Sequence, residues 1–300
     1  MSDASKLPAA AGQSVVEGNS DPAVPPQRRS RKKRWLLLLL AVVAVGYWWI
    51  RPPQPDAVRQ FEVSTATMPP ASVLVDVFLP PVDVREGPLP AVIVLHGVEG
   101  TSPFYRGFHL TNARQIANEG YAVYLVHYFD PHEYSDLLYL KGQELDTEKI
   151  DEHIYGAKRA DRDAWEQCAF QAVQWVSEQP EVDDHNVFLV GYSLGGCVAL
   201  SCAERCAQLE QQPLRGLVVN FACQFRDVEL TAKLPDTQMH HGANDSVVLP
   251  EWMEETARRM QACGTRVESH VYAGQEHTLT GSAAELCRQR THEFLQSLIR

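Results

Sequence analysis

From residue 72 onward the chain alternates between two patterns of hydrophobic and polar positions. Residues 72–80 carry valine at every second position, which is typical of a β-strand, and residues 91–95 form an apolar run. Residues 157–178 carry apolar side chains at helical spacing, which indicates ordinary core packing. The remaining predicted elements are helices over 104–119, 250–262 and 282–299 and strands over 121–126, 186–190, 215–221 and 266–272. This order predicts an α/β fold with a doubly wound, mostly parallel sheet and helices on both faces.

A nucleophile motif lies between the predicted strand at 186–190 and a small-residue helical segment at 197–203. The stretch Gly191-Tyr192-Ser193-Leu194-Gly195 has the G-x-S-x-G form of the nucleophile elbow of α/β-hydrolases, whose tight turn strains the serine backbone. Glycines on both sides let the strand and the helix pass closely. We predict Ser193 as the nucleophile. The alternative is a glycine-rich turn that only closes a parallel sheet.

Two partners for this serine follow in the chain order of the α/β-hydrolase fold, Ser then Asp then His. Asp245 comes after a short strand that begins at Thr237, and His277 lies in the loop after the strand 266–272. Ligands of open parallel sheets bind at the carboxyl ends of the strands, so we expect the three side chains to meet there. His277 would take the serine proton, and Asp245 would orient His277 and stabilise its positive form.

An oxyanion hole is predicted from two backbone N–H groups. The strand 91–95 ends in His96-Gly97, and the loop that follows corresponds to the one that supplies a donor in this fold; we assign that donor to Val98. The second donor is the N–H group of Leu194, directly after the nucleophile. We interpret His96 as a structural residue at a strand end.

Over about residues 72–299 the sequence resembles the dienelactone hydrolase family. The segments that carry this resemblance are the strand into His96-Gly97, Gly120-Tyr121-Ala122-Val123-Tyr124, the Asp-rich helix from Asp161, the nucleophile elbow, His241-Gly242-x-x-Asp245 and Tyr272-x-Gly274-x-x-His277. The resemblance implies an α/β-hydrolase that acts on esters or lactones and uses no metal or organic cofactor.

The sequence departs from the founding type of this family in two ways. The founding type has a cysteine nucleophile, whereas this chain has Ser193, so it resembles the serine branch of the family. The founding type also has a glutamate directly after the oxyanion strand, where this chain has Gly97, and Glu99 stands two positions later. That glutamate takes part in activating the cysteine. Its absence agrees with a serine enzyme and argues against turnover of true dienelactones.

Three segments are predicted ahead of a hydrolase domain at residues 71–300. Residues 1–34 are rich in Ser, Pro and Ala and are predicted to be a disordered tail that ends in a basic cluster. Residues 35–50 are uncharged and largely apolar, which predicts a single transmembrane helix. Residues 51–70 are predicted to be a Pro-rich linker.

The basic cluster predicts how this signal-anchor is oriented. It favours a cytoplasmic N-terminus and an extracytoplasmic hydrolase domain, which would be periplasmic in a bacterium. One alternative is a signal peptide that is cleaved near residues 44–46. Another is that the basic cluster is a nuclear localisation signal or a nucleic-acid-binding patch. The net charge is +4 over residues 1–34 and −15 over the rest of the chain, whose total is −11. An acidic hydrolase domain argues against nucleic acid as a partner.

The cysteines and histidines are candidates for disulfides and for a metal site, and neither pattern is specific. Most of the seven cysteines fall on predicted helices and are interpreted as small core residues. The pattern is compatible with one disulfide that the sequence does not identify, and this number of cysteines is unusual for an oxidising compartment. A metal site formed by His240, His241, Asp245 and His277 is disfavoured, because adjacent residues of a strand point to opposite faces.

The sequence therefore predicts a membrane-anchored serine hydrolase that cleaves a small-molecule carboxylic ester or lactone through an acyl-enzyme. A peptidase or acyltransferase on the same scaffold is an alternative, because the three catalytic side chains are shared and the pocket selects the acceptor. A non-catalytic binding module is disfavoured, since Ser, Asp and His are all present in order. The charged stretch at 131–158 is the predicted position of a cap over the active site, and the sequence leaves the oligomeric state open.

Overall fold

The computed structural model describes residues 52–64, 70–84, 87–100, 106–129, 159–225 and 228–300. The predicted tail, the predicted transmembrane helix and the predicted cap at 131–158 lie outside these residues. Among the helices of the described ranges, none is both long enough and apolar enough to cross a bilayer.

In the described part of the chain, eight strands form one sheet. Their bounds are β1 Ala57–Val63, β2 Ala71–Phe78, β3 Leu89–Leu95, β4 Ala122–Val126, β5 Val182–Tyr192, β6 Gly216–Asn220, β7 Asp236–Gly242 and β8 Val267–Tyr272. The strand order is β1-β2-β4-β3-β5-β6-β7-β8. β2 pairs antiparallel with both β1 and β4, whereas the neighbours from β4 to β8 are all parallel.

Helices cover both faces of this sheet. Their bounds are α1 Arg106–Asn118, α2 Arg159–Ser177, α3 Leu194–Ala207, α4 Pro250–Ala262 and α5 Gly281–Leu298, with a 3-10 turn at Val82–Val84. Buried side chains of α2, α3 and α4 share one core cluster with the sheet, and those of α1 and α5 share another. This arrangement confirms the predicted α/β-hydrolase fold, with its doubly wound, mostly parallel sheet.

β3 and β4 are almost entirely apolar, as expected for strands whose two faces are both covered by helices. In β3, Ile93, Val94 and Leu95 are fully buried. On α2, the predicted apolar stripe that begins at Trp165 and ends at Val176 is buried against the same core, as expected from its helical spacing.

The predicted linker at residues 51–70 is wrong for residues 57–63, which form β1 at the edge of the sheet. Ala57, Arg59, Phe61 and Val63 alternate with exposed residues, and the last two are buried. This period of two is a strand signal. The segment is short and has prolines on both sides, and these features favoured a spacer. Hydrogen-bonded pairing with β2 nevertheless makes it a strand.

A buried neutral histidine on β7 makes stability sensitive to acid. His240 accepts or donates hydrogen bonds at both ring nitrogens, to the Tyr272 hydroxyl at 2.9 Å and to Gln238 Oε1 at 2.9 Å. Burial, together with the charges of His270 and Arg290, lowers the pKa of His240 to about 3. Between pH 3 and the ordinary histidine pKa of about 6.5, the unfolded chain therefore holds a proton that the folded chain does not.

We expect this difference to lower the free energy of unfolding as the pH falls from about 6.5 towards 3, by about 2 kcal/mol at pH 5 for this one group. Urea denaturation of the wild type and of His240→Gln at pH 7 and pH 5 measures the effect. The variant should lose less stability between the two pH values. His185→Gln, at an exposed histidine, is the matched control and should behave as the wild type. Equal losses in the wild type and in His240→Gln would contradict the prediction.

Candidate active site

The predicted nucleophile lies in a tight turn between β5 and α3. Ser193 has φ 50° and ψ −121°, a left-handed backbone conformation that is rare for a residue other than glycine. A Cβ atom on Gly191 would lie 2.4 Å from the Gly195 carbonyl oxygen, and one on Gly195 would lie 2.3 Å from the His96 carbonyl oxygen. Both contacts are too close for any side chain. The two glycines therefore permit the close passage of strand and helix that the elbow requires.

The three residues predicted to act together form a hydrogen-bonded series with His277 in the middle. The Ser193 hydroxyl is 2.9 Å from His277 Nε2, and His277 Nδ1 is 2.9 Å from Asp245 Oδ2. The carboxylate accepts the Nδ1 hydrogen, so Nε2 is left as an acceptor for the serine proton. All three residues follow parallel strands at their carboxyl ends, which is why residues so distant in sequence meet.

The Asp245 carboxylate is buried, with 3% of its surface exposed, and both of its oxygens accept hydrogen bonds. Oδ1 accepts the backbone N–H groups of Val247 and Val248, each at 2.9 Å. Oδ2 is 3.1 Å from His241 Nε2 and 2.9 Å from His277 Nδ1. Burial by itself would raise the pKa of Asp245, but the contacts with His241 and His277 outweigh it and hold the pKa well below its usual range. The group is therefore a carboxylate at neutral pH.

Gly242 lets the turn that carries Asp245 fit against the loop that carries His277. A Cβ atom on Gly242 would lie 2.1 Å from the Glu276 carbonyl oxygen and 2.5 Å from that of Gln275. In addition, the Asn244 N–H group donates to the Gln275 carbonyl at 2.8 Å. Backbone contacts, and not only the side-chain bond, thus hold the two segments together.

His241 is a site residue whose contact with the carboxylate sequence reasoning missed. Its Nε2–H group donates to the Val248 carbonyl at 2.7 Å and lies beside Asp245 Oδ2. The side chain is fully buried, and the neighbouring His240 instead contacts Tyr272 and Gln238. The sequence signal was the spacing of four residues to Asp245 across a tight turn. That spacing belongs to the segment His241-Gly242-x-x-Asp245 of the family resemblance, which assigned no role to His241.

Asn220, at the end of β6, is a second site residue that sequence reasoning missed. Its carbonyl oxygen accepts the Ser193 N–H group at 2.8 Å, and its Nδ2 donates to the Gly191 carbonyl at 3.3 Å. Asn220 thus contacts the elbow on both sides of Tyr192, its register partner on β5. A polar residue that ends an otherwise apolar strand was the available signal.

The predicted oxyanion donors lie where β3 and α3 approach each other. Leu95 is in register with Gly191, so the chain after Leu95 runs beside the elbow. Leu194 is the first residue of α3, where backbone N–H groups have no acceptor within the helix. Val98 follows β3 by three residues and is partly buried against the core. A negative oxygen above this helix start would also be favoured by the helix dipole.

The Glu99 carboxylate is hydrogen-bonded to a histidine of α1. His109 Nε2 lies 3.0 Å from Glu99 Oε1, and the His109 side chain is fully buried. His96 stacks on Tyr128 with ring centroids 4.3 Å apart, and its Nδ1 lies 2.8 Å from the Gly97 carbonyl oxygen. Burial lowers the pKa of His96 well below its usual range. Both histidines are therefore buried against the loop at residues 97–100.

The described residues contain no group of three or more His, Cys, Asp or Glu side chains placed to hold a metal ion. The seven cysteines all lie within the described ranges, and none of them forms a disulfide. What the site offers is a hydroxyl, an imidazole and a carboxylate in hydrogen-bonded sequence. This arrangement is suited to proton transfer from the hydroxyl to the imidazole.

Solved structures share this fold at low sequence identity. One is a dienelactone hydrolase-like promiscuous phosphotriesterase from metagenomic libraries (18% identity, TM-score 0.59, 81% of this chain and 98% of that chain). Another is a carboxylesterase cloned from a metagenomic library (15%, 0.60, 93% and 99%). A third is a hyperthermophilic esterase from the archaeon Pyrobaculum calidifontis (15%, 0.57, 89% and 93%). A search of curated proteins gave no match.

The sheet order, the strained elbow and the helices on both faces define a member of the α/β-hydrolase class. Within that class the chain belongs to the dienelactone hydrolase family, whose model matches residues 77–295. The resemblance predicted from the sequence is thereby confirmed. Family and fold together make the chain a carboxylic ester hydrolase.

Proposed function

We propose that the chain is a serine hydrolase that cleaves carboxylic esters or lactones through an acyl-enzyme. The observation that carries this proposal is the hydrogen-bonded series from Ser193 through His277 to Asp245. His277 Nε2 takes the hydroxyl proton as Ser193 Oγ attacks the substrate carbonyl. The N–H groups of Val98 and Leu194 stabilise the negative oxygen of the tetrahedral intermediate. The C–O bond then breaks, and His277 returns the proton to the leaving oxygen.

In the second half of the reaction, water takes the place of the alcohol. His277 removes a proton from this water as it attacks the acyl-enzyme, and it then protonates Ser193 Oγ as the acid product leaves. Asp245 keeps the imidazole in one tautomer and stabilises its cationic form throughout. The buried carboxylate performs this role at neutral pH, because its lowered pKa keeps it ionised.

The substrate class is tested by comparing an ester, a lactone and an amide. We expect the purified full chain to hydrolyse p-nitrophenyl acetate and a small lactone, and to cleave the matching p-nitroanilide far more slowly. The ester hydrolases among the similar structures support this order. Faster cleavage of the anilide would favour a peptidase, and no turnover of any of the three would refute the proposal.

We further propose that residues 35–50 anchor the enzyme in a membrane with the hydrolase domain outside the cytoplasm. Support comes from sixteen uncharged residues with aromatic side chains at one end and a basic cluster at the other. Arg34 and Arg51 flank the apolar run, and long basic side chains reach the interface from such positions.

This topology is tested with reporters fused after Arg300 in a bacterial host. Alkaline phosphatase, which is active only outside the cytoplasm, should be active there, and a cytoplasm-only fluorescent reporter should stay dark. N-terminal sequencing of the membrane fraction should find an uncleaved chain. The reverse reporter pattern would contradict the orientation, and a chain that begins near residue 46 would identify a cleaved signal peptide.

A further inference from the structure

A cleft lies between α1 and α5, on the face of the sheet opposite α2, α3 and α4. Its volume is about 80 Å³. Phe108 and Ile116 line it from α1, and Ala284, Cys287 and Leu295 line it from α5. We call it the alkyl cleft after these apolar side chains, and Asn112, Gln115, Asn220 and Thr291 also line it.

One end of the alkyl cleft lies beside the proposed catalytic histidine. Tyr192, Phe221 and Leu279 form part of its wall. Tyr192 precedes the nucleophile, and Leu279 follows His277 by two residues. The Phe221 ring is 6.0 Å from the His277 ring, centroid to centroid. Phe221 also has φ 54°, so the chain adopts an unfavourable conformation where it places this ring.

An ion pair also borders the alkyl cleft. Glu119, at the end of α1, forms an ion pair with Arg288 of α5, and both residues line the cleft. A hydrocarbon chain gains nothing by reaching these charges. A group the size of a water molecule needs about 10–15 Å³ of cavity volume. The 80 Å³ of the alkyl cleft therefore holds about six such groups, or an alkyl chain of about four to six carbons.

We propose that the alkyl cleft binds the alkyl group of the alcohol part of the ester, and that the enzyme prefers open-chain esters of short primary alcohols. This inference rests on the proposed function. His277 must return its proton to the leaving oxygen, so the alcohol part of the substrate lies on the His277 side of Ser193. Phe221 and Leu279 place the mouth of the cleft on that side.

The first test compares kcat/KM for butyl acetate and methyl acetate in the full chain. Each buried methylene should contribute about a fourfold gain, so the wild type should favour butyl acetate by roughly 10- to 60-fold. Ala284→Leu puts a larger side chain into the cleft and should remove most of this preference. Ala283→Leu is the matched control, because Ala283 is equally half-buried on the same helical turn and does not line the cleft. It should keep the preference.

Three results of this comparison would overturn the proposal. One is a wild type without preference for butyl acetate, and another is the same preference in Ala284→Leu as in the wild type. The third is a preference of the wild type for methyl butyrate over methyl acetate that Ala284→Leu removes. The cleft would then bind the acyl part of the ester. If the wild type hydrolyses none of these esters but turns over p-nitrophenyl acetate or the lactone, the alkyl-cleft proposal is overturned and the proposed function stands. If it turns over none of them, the proposed function itself fails.

A second test needs no turnover and uses Cys287. In Ser193→Ala/Cys263→Ser protein, a small methanethiosulfonate reagent should label Cys287, since the other five cysteines are buried. Burial raises the pKa of the Cys287 thiol to about 11, so labelling is done at alkaline pH. We expect 1-butanol to slow the labelling severalfold and ethanol at equal concentration to leave it nearly unchanged. Equal rates with both alcohols would refute binding of the alkyl group in the cleft, whether or not esters are hydrolysed.

Discussion

Ser193→Ala should lower kcat for p-nitrophenyl acetate by about 10⁵- to 10⁶-fold and abolish labelling by a fluorophosphonate probe. The reason is that the variant lacks the hydroxyl group that is hydrogen-bonded to His277 Nε2. Without the nucleophile no acyl-enzyme forms, and only binding and the oxyanion donors remain to accelerate attack by water. The kcat of the purified variant and in-gel fluorescence after probe treatment measure both effects.

Ser201→Ala is the matched control for this experiment. Ser201 is a buried serine on α3, eight residues after Ser193, and its hydroxyl contacts Gln224 instead of the site. It should keep both the ester turnover and the fluorophosphonate label. Continued labelling of Ser193→Ala, located by peptide mass spectrometry, would remove Ser193 from the mechanism.

Asp245→Asn should lower kcat by about 10⁴-fold while leaving the fold intact. The asparagine side chain has the same shape, but only one of its two ends accepts hydrogen bonds. The carboxylate accepts three N–H groups, two from the backbone and one from His277, and His241 Nε2–H lies beside it, so the amide must turn its donors either towards the backbone pair or towards the imidazoles. If it turns them towards the imidazoles, the hydrogen on His277 Nδ1 loses its acceptor and the imidazole adopts the wrong tautomer.

Kinetics and thermal unfolding separate this effect from simple loss of structure. We expect a folded variant with a reduced melting temperature, because Asp245 is bonded more strongly in the folded chain than in the unfolded chain. Asp236→Asn, at the start of β7 and next to Arg266, is the control and should retain full activity. A kcat for Asp245→Asn within tenfold of the wild type would show that another group orients His277.

Much of the fold could be predicted because strands such as β3 and β4 are apolar runs and the helices carry apolar side chains at helical spacing. β1 was missed, since an edge strand needs few apolar residues and its neighbours are prolines. The elbow was recognisable because its geometry tolerates only glycine at 191 and 195, and that requirement appears directly in the sequence.

The residues that contact the catalytic side chains and the elbow, His241 and Asn220, could not be predicted in the same way. His241 and Asn220 act through contacts that exist only when β6, β7 and the loop after β7 are assembled. Neither contact leaves a periodic pattern along the chain. The alkyl cleft is likewise formed between two helices more than 160 residues apart in the chain.

The fit at Gly242 limits how this enzyme can be re-engineered. Carbonyl oxygens of the segment that ends at His277 occupy the space where a side chain at 242 would lie. A longer or bulkier segment taken from another hydrolase would push the imidazole out of line unless the aspartate turn came with it. For loop exchange, residues 242–245 and 273–277 should therefore be transplanted as one unit.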